Sequence, residues 1–189
     1  MAYLTLSEIR QKANFSDPID QNRVRRSLSS KTTVFLSHSH KDAELVVPVI
    51  NFLLSLGVAV YVDWMDNSMP NVTSIETAKK LKDKIRETDR FLVLLSEQSV
   101  ESKWVPWELG YADGVKRIED IAILPVRRSS LTSDTVFNGL EYMELYPVIQ
   151  VGTRGMDRVI SIFPSARIGD PKGGWDLDSA WLKRGAVSF

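Results

Sequence analysis

The chain has no cysteine and only two histidines, His38 and His40. The first absence removes disulfides, thiol nucleophiles and cysteine-ligated zinc together, and the second argues against a multi-histidine metal centre. Charge of one sign is also missing. The 24 basic and 24 acidic residues cancel, so the chain as a whole lacks the electrostatic footprint that nucleic acid attracts. No apolar run reaches the ~18 residues of a membrane span. The N-terminal stretch MAYLTLSEIRQKANFSD carries no apolar signal core, which points to a cytoplasmic protein. Three phosphate and nucleophile signatures are absent as well: G-x-G-x-x-G after a first strand, G-x-x-x-x-G-K-[ST], and G-x-S-x-G. Dinucleotide folds of the usual kind, phosphate-binding loops and hydrolase elbows therefore lose their anchors.

What is present is globular. Hydrophobic residues make up 43% and charged residues 25% of 189 positions, which suits one domain with extra chain at its ends. Residues 1–30 read as an N-terminal appendage, with a short helix-like LTLSEIRQKA and then a polar, turn-rich stretch. Its cluster Arg23, Arg25 and Arg26 suits a solvated or internally paired segment better than a phosphate site. Residues 31–163 read as the domain and 164–189 as a C-terminal extension.

Within the domain, TTVFLS (32–37) is a run of buried-strand type. The loop HSHKD follows, with Asp42 as an N-cap for a helix through LVVPVINFLLSL that closes at Gly57. Pro48 predicts a kink or a late start in that helix. VAVYV (58–62) is a second strand, and the loop DWMDNSMPNVT leads to a helix over SIETAKKLKDKIRETD, with Ile75, Ala78, Leu81 and Ile85 at helical spacing. FLVLLS (91–96) and IAILPV (121–126) are further strands, separated by a helix that starts near Ser102. YMELYPVIQV (142–151) and RVISIF (158–163) predict a last strand and helix. Strands apolar along their whole length are covered on both faces, so the alternation implies an α/β protein with a parallel sheet. Ligands in such sheets bind beyond the carboxyl ends of the strands. That places HSHKD, DWMDNS and SEQSVESKW at the candidate site.

The segment SKWVPWELGYADGVK (102–116) sets one acid, Glu108, four residues after Trp104, on the same helix face. Read alone, Glu108 suits a first-turn acid favoured by the helix dipole, and the tryptophans suit a core. His38, Ser39, His40 and Asp63 are each compatible with ordinary surface or turn roles.

Taken together, VFLSHSHKD, then GVAVYVDW, then RFLVLLSEQSVESKWVPWELGYA, in this order and at these separations, resemble a Toll/interleukin-1 receptor (TIR) domain of the bacterial anti-phage defence type. The resemblance spans roughly residues 31–150. It implies a flavodoxin-like three-layer sandwich with a five-stranded parallel sheet of order 2-1-3-4-5. It also implies cleavage of the nicotinamide–ribose bond of NAD, giving nicotinamide and either ADP-ribose or a cyclic isomer that signals in defence. On this resemblance Glu108 takes the catalytic position. The substrate contacts fall on Ser37, His38, Ser39, Lys41, Asp42, Asp63, Trp64, Ser68 and Trp104. NAD is then the substrate, and neither a cofactor nor a metal is expected. The family's BB loop corresponds to WMDNSMPNVTS, with Asp66 and Pro70 inside it, and it implies possible homo-oligomer contacts. An effector protein that responds to the product is a further implied partner, whereas nucleic acid and membrane are not.

One acid is chemically sufficient for that reaction. Nicotinamide leaves a pyridinium as a neutral base and needs no protonation, so the burden is the oxocarbenium-like ribosyl cation, which one carboxylate can stabilise. Ordinary glycoside hydrolysis typically uses two. Trp104 would wall the acid from water and raise its pKa. The alternatives are a noncatalytic TIR interaction module, a deoxyribosyltransferase-like enzyme on a similar sheet, and a phosphoacceptor domain. The last is disfavoured because no acidic pair follows the first strand.

Overall fold

A computed structural model describes residues 3–13, 32–70, 74–131, 133, 137, 140–154, 157–163, 175–176 and 181–182. In chain order the elements are β1 (Leu4–Thr5), α1 (Leu6–Lys12), β2 (Thr33–Ser37), α2 (Ala43–Ser55), β3 (Ala59–Tyr61), α3 (Ile75–Glu87), β4 (Arg90–Leu95), α4 (Trp104–Val115), β5 (Ile121–Arg127), β6 (Val148–Arg154), β7 (Asp157–Phe163) and β8 (Trp175–Asp176). One sheet runs β3-β2-β4-β5-β6-β7-β8, and β1 pairs with β5 off this path. The pairs from β3 to β6 are parallel, as is β1 with β5. The β6–β7 and β7–β8 pairs are antiparallel.

The five strands β3-β2-β4-β5-β6 are parallel, as expected, but the sheet does not stop there: β1, β7 and β8 extend it to eight strands and make it mixed. The main reason lies in RVISIF, expected as a helix. Its β-branched Val159, Ile160 and Ile162 favour a pleated surface, and β7 pairs along its whole length with β6, from Val148↔Phe163 to Arg154↔Asp157.

Alternation along the parallel strands divides the core into two layers. Val34, Leu36, Leu92, Leu94, Ala122 and Leu124 point to the side covered by α1 and α2, with Ile9, Leu45, Val49 and Leu53 packed there. Phe35, Phe91, Val93, Leu95, Ile121 and Ile123 point to the other side, where Leu81 and Ile85 of α3 and Val105 and Leu109 of α4 cover them. This is the three-layer α/β arrangement that doubly covered strands require. No helix among the described residues is long and apolar enough to cross a membrane.

Local signals set most boundaries. Helix α2 starts at Ala43 and runs through Pro48, so the late start does not occur. Its end is a Schellman turn: Gly57 N–H donates to the Leu54 carbonyl at 3.1 Å and Val58 N–H to that of Leu53 at 3.4 Å, with Gly57 at φ +86°. Asp42 holds the N-cap position, but its side chain makes no bond to the helix. Ser74 caps α3 by accepting from Thr77 N–H at 3.2 Å. Ile75, expected on the buried face of that helix, is exposed instead, because it lies in the first turn, before the helix reaches the sheet.

Both termini are more integral than the sequence suggests. Residues 3–13, expected within an appendage, supply β1 and α1. Leu4, Leu6, Ile9 and Ala13 belong to the core, and a capping box between Thr5 and Glu8 opens α1. The arginine cluster at 23–26 lies outside the described residues. In the expected C-terminal extension, Trp181 is fully buried. Its indole N–H donates to the Glu119 carbonyl at 2.8 Å, and its own carbonyl accepts from Arg90 Nε at 2.9 Å. It thus closes the amino ends of β4 and β5, the edge opposite the candidate site.

Candidate active site

Strand β2 delivers Ser37 to the carboxyl edge of the sheet, and α4 brings Glu108 down onto it. Ser102 starts that helix, its hydroxyl accepting from the N–H groups of Trp104 at 3.2 Å and Val105 at 3.3 Å. The helix begins at Trp104, so Glu108 falls in the second turn and not the first. A dipole role for the acid is thereby lost. Glu108 is only 6% exposed and accepts a 2.5 Å hydrogen bond from the Ser37 hydroxyl. Burial pushes its pKa up to about 8; the Ser37 hydrogen bond opposes the rise and the charge of Asp63 adds to it.

A cleft of about 420 Å³, its open mouth included, lies over this acid. It is lined by Phe35, Leu36, His38, His40, Asp63, Thr77, Leu81, Trp104 and Glu108. Trp104 packs its ring edge-to-face on Trp107, centroids 5.2 Å apart. The His38 ring is buried, with Nδ1 3.0 Å from the Leu36 carbonyl oxygen and Nε2 3.8 Å from Asp63 Oδ1. Burial lowers the His38 pKa, with Asp63 pulling the other way. Asp63 also accepts the Trp64 N–H at 2.9 Å. It thereby opens the turn that leads into the 63–70 loop.

Of the ten candidate residues, Glu108, His38, Asp63 and Trp104 meet in the cleft, and Ser37 reaches it through Glu108. The other five are placed elsewhere. Ser39 is buried and accepts Lys41 N–H, shaping the turn. Lys41 is exposed beside Glu101 at 3.6 Å. Asp42 is fully buried at a junction, taking a 2.6 Å bond from Ser96 and a 3.1 Å contact from Arg128. It ties the loop after β2 to the ends of β4 and β5, and burial raises its pKa. Trp64 is half exposed. Ser68 donates its N–H to Asp66 at 2.9 Å, and Asp66 also takes the Tyr61 hydroxyl at 3.0 Å, so the acid braces the loop from within.

Sequence reasoning missed Thr77 and Leu81 as cleft residues. Their i,i+4 spacing on α3 was the available signal, but nothing local shows that this face of α3 meets the end of β2. Among the described residues, no group of three or more histidine, aspartate or glutamate side chains suits a metal ion.

Fold and site together define an α/β protein with a single buried acid in a cleft at the carboxyl edge of its parallel strands. The TIR domain model matches residues 34–160, and the chain belongs to that family. It is 41% identical over 122 residues to a Bacillus cereus (strain MSX-D12) protein named "Probable 3' cyclic ADP-D-ribose synthase ThsB'", covering 64% of this chain and 61% of that one. It is 32% identical over 82 residues to "Putative cyclic ADP-D-ribose synthase TIR2" of Cytobacillus dafuensis, covering 42% of this chain and 22% of that one. The chain thus spans less than two thirds of the length of each of these curated relatives.

Proposed function

We propose that this TIR protein cleaves the nicotinamide–ribose bond of NAD and joins the ribose to another part of the same molecule, giving a cyclic ADP-ribose isomer that signals in bacterial anti-phage defence. The observation that carries the reading is Glu108, buried at the floor of the cleft, hydrogen-bonded by Ser37 and sharing the walls with His38, Asp63 and Trp104. The names of the two relatives support the choice of substrate and product class.

The geometry suits a reaction that builds positive charge. A carboxyl group with a pKa near 8 is mostly neutral at pH 7 in the free protein. The pyridinium of NAD, entering beside it, favours its charged form. As the C–N bond stretches, charge moves from the ring to the ribose, and the carboxylate meets it in a site with little water to reorganise. Trapping by an internal hydroxyl gives the cyclic product, and trapping by water gives linear ADP-ribose. In this reading the protein is cytoplasmic, uses no cofactor, contacts a second copy through the 64–74 loop and hands its product to an effector protein.

The test is to incubate the protein with NAD, dilute and concentrated, beside Glu108→Gln, and to separate the products chromatographically. Nicotinamide release should fall by about 10³-fold in the variant, the order of loss seen when a transition-state charge loses its partner. The second product's retention distinguishes cyclic from linear. Full turnover in folded Glu108→Gln sinks the assignment. Partner binding with no turnover in either protein favours a noncatalytic interaction module.

A further inference from the structure

Breaking the glycosidic bond needs no proton transfer, but trapping the cation with a hydroxyl does, because the attacking O–H must lose its proton. While the cation persists, Glu108 is committed to it and to the Ser37 hydroxyl, so the attacking oxygen needs an acceptor of its own. We infer that His38 is the general base for this second half of the reaction, with Asp63 stabilising the imidazolium that forms. The inference rests on the NAD-cleaving reading above.

The hydrogen-bond geometry fixes the tautomer. The Leu36 carbonyl oxygen only accepts, so Nδ1, 3.0 Å away, carries the ring proton. In the neutral ring the lone pair then sits on Nε2, at the cleft. Nε2 lies 3.8 Å from Asp63 Oδ1, so in the neutral state two acceptors face each other without a proton between them. A substrate hydroxyl or a water that reaches Nε2 supplies one. Once the proton is transferred, the same 3.8 Å contact becomes an ion pair, which favours the product of the transfer. His40, 6.1 Å away ring to ring, and Asp42 are the other titratable groups acting on His38. Burial keeps His38 neutral, and so able to accept, across the range in which Glu108 ionises.

The step balances. The bond between the ribose C1 and the pyridinium nitrogen breaks, with both electrons passing to nitrogen, and nicotinamide leaves neutral. The hydroxyl oxygen of the same nucleotide, or of water, bonds to C1, and its proton passes to His38 Nε2 and then to solvent.

A nucleophile without a proton separates the two halves. An added pyridine base such as 3-acetylpyridine attacks the cation through its nitrogen lone pair and yields an exchanged dinucleotide with no base required. We expect His38→Gln, whose amide can still donate to Leu36, to keep exchange within about threefold while cyclic and linear products fall by about 10²-fold. The ratio of exchange to trapping then rises about 100-fold, and a ratio does not depend on how much of the sample is folded. Asp63→Asn should move the ratio the same way by about tenfold. An unchanged ratio in both variants overturns the role of His38, and so does an equal fall of exchange and trapping, which marks a structural or binding role. If His38→Gln does not fold, the Asp63→Asn ratio decides. Wild-type protein that gives neither exchange nor nicotinamide release overturns the NAD-cleaving reading itself.

Discussion

At Glu108 the carboxyl group gives up hydration for one 2.5 Å hydrogen bond from Ser37, and burial, the largest cause, raises its pKa from 4.5 to about 8. A raised acid has a definite thermodynamic sign. Between those two values the native state holds a proton that the unfolded chain releases, so stability falls as pH rises from 4.5 and levels off above 8. Glu108→Gln removes this dependence. The variant should exceed the wild type by on the order of 2–4 kcal/mol near pH 7 and converge with it near pH 4.5, since a tenfold change in a proton-binding constant is worth about 1.4 kcal/mol. Urea midpoints across that range test it, and a gap that does not change with pH rules out a proton held at Glu108. The proposed reaction uses the same ionisation in the opposite sense. If the carboxylate is the working form, kcat/KM climbs with pH and flattens above about 8. The i,i+4 spacing of Trp104 and Glu108 was legible in the chain. The choice between a first-turn acid and a buried one was not, because it turned on two residues of helix start and on Ser37.

Elements were legible where local chemistry ends them. Gly57 marks the close of α2 in the sequence, and the structure places it at φ +86° with both Schellman bonds. A Cβ added there meets nothing within 4 Å. Gly57→Ala should therefore cost only the backbone conformation, about 1–2 kcal/mol, seen as a lower urea midpoint with an unchanged slope. An unchanged midpoint would show that the chain leaves α2 in another conformation. Elements that the sequence misstates are those whose partner decides. RVISIF is too short for either periodicity to dominate, and pairing with β6 makes it a strand. Asp42 was legible as an N-cap by position, yet Ser96 and Arg128 claim its carboxylate, and no local pattern announces bonds to residues so distant along the chain.

On the scale of the whole molecule, the edge of the sheet that carries the cleft is separated from the edge that Trp181 closes. Trp181 is fully buried against the starts of β4 and β5. Trp181→Ala should destabilise the protein by about 3–5 kcal/mol, the usual cost of emptying a large aromatic site. The proposed NAD turnover, counted per folded molecule, should stay the same. Chemical denaturation and active-site-normalised rates check both halves, and a loss confined to turnover would contradict a purely structural role.

The sequence by itself determined the α/β alternation, the helix ends at Ser74 and Gly57, and three loops that border the cleft. These depend on periodicity, capping and spacing within a few turns of chain. Tertiary structure alone decided that residues 3–13 and Trp181 join the core, that Asp42 is a strut and that Ser37 holds Glu108. Those contacts join residues 71 positions apart in the last case. Their energies arise from water excluded when whole elements pack, which no local pattern in the chain records.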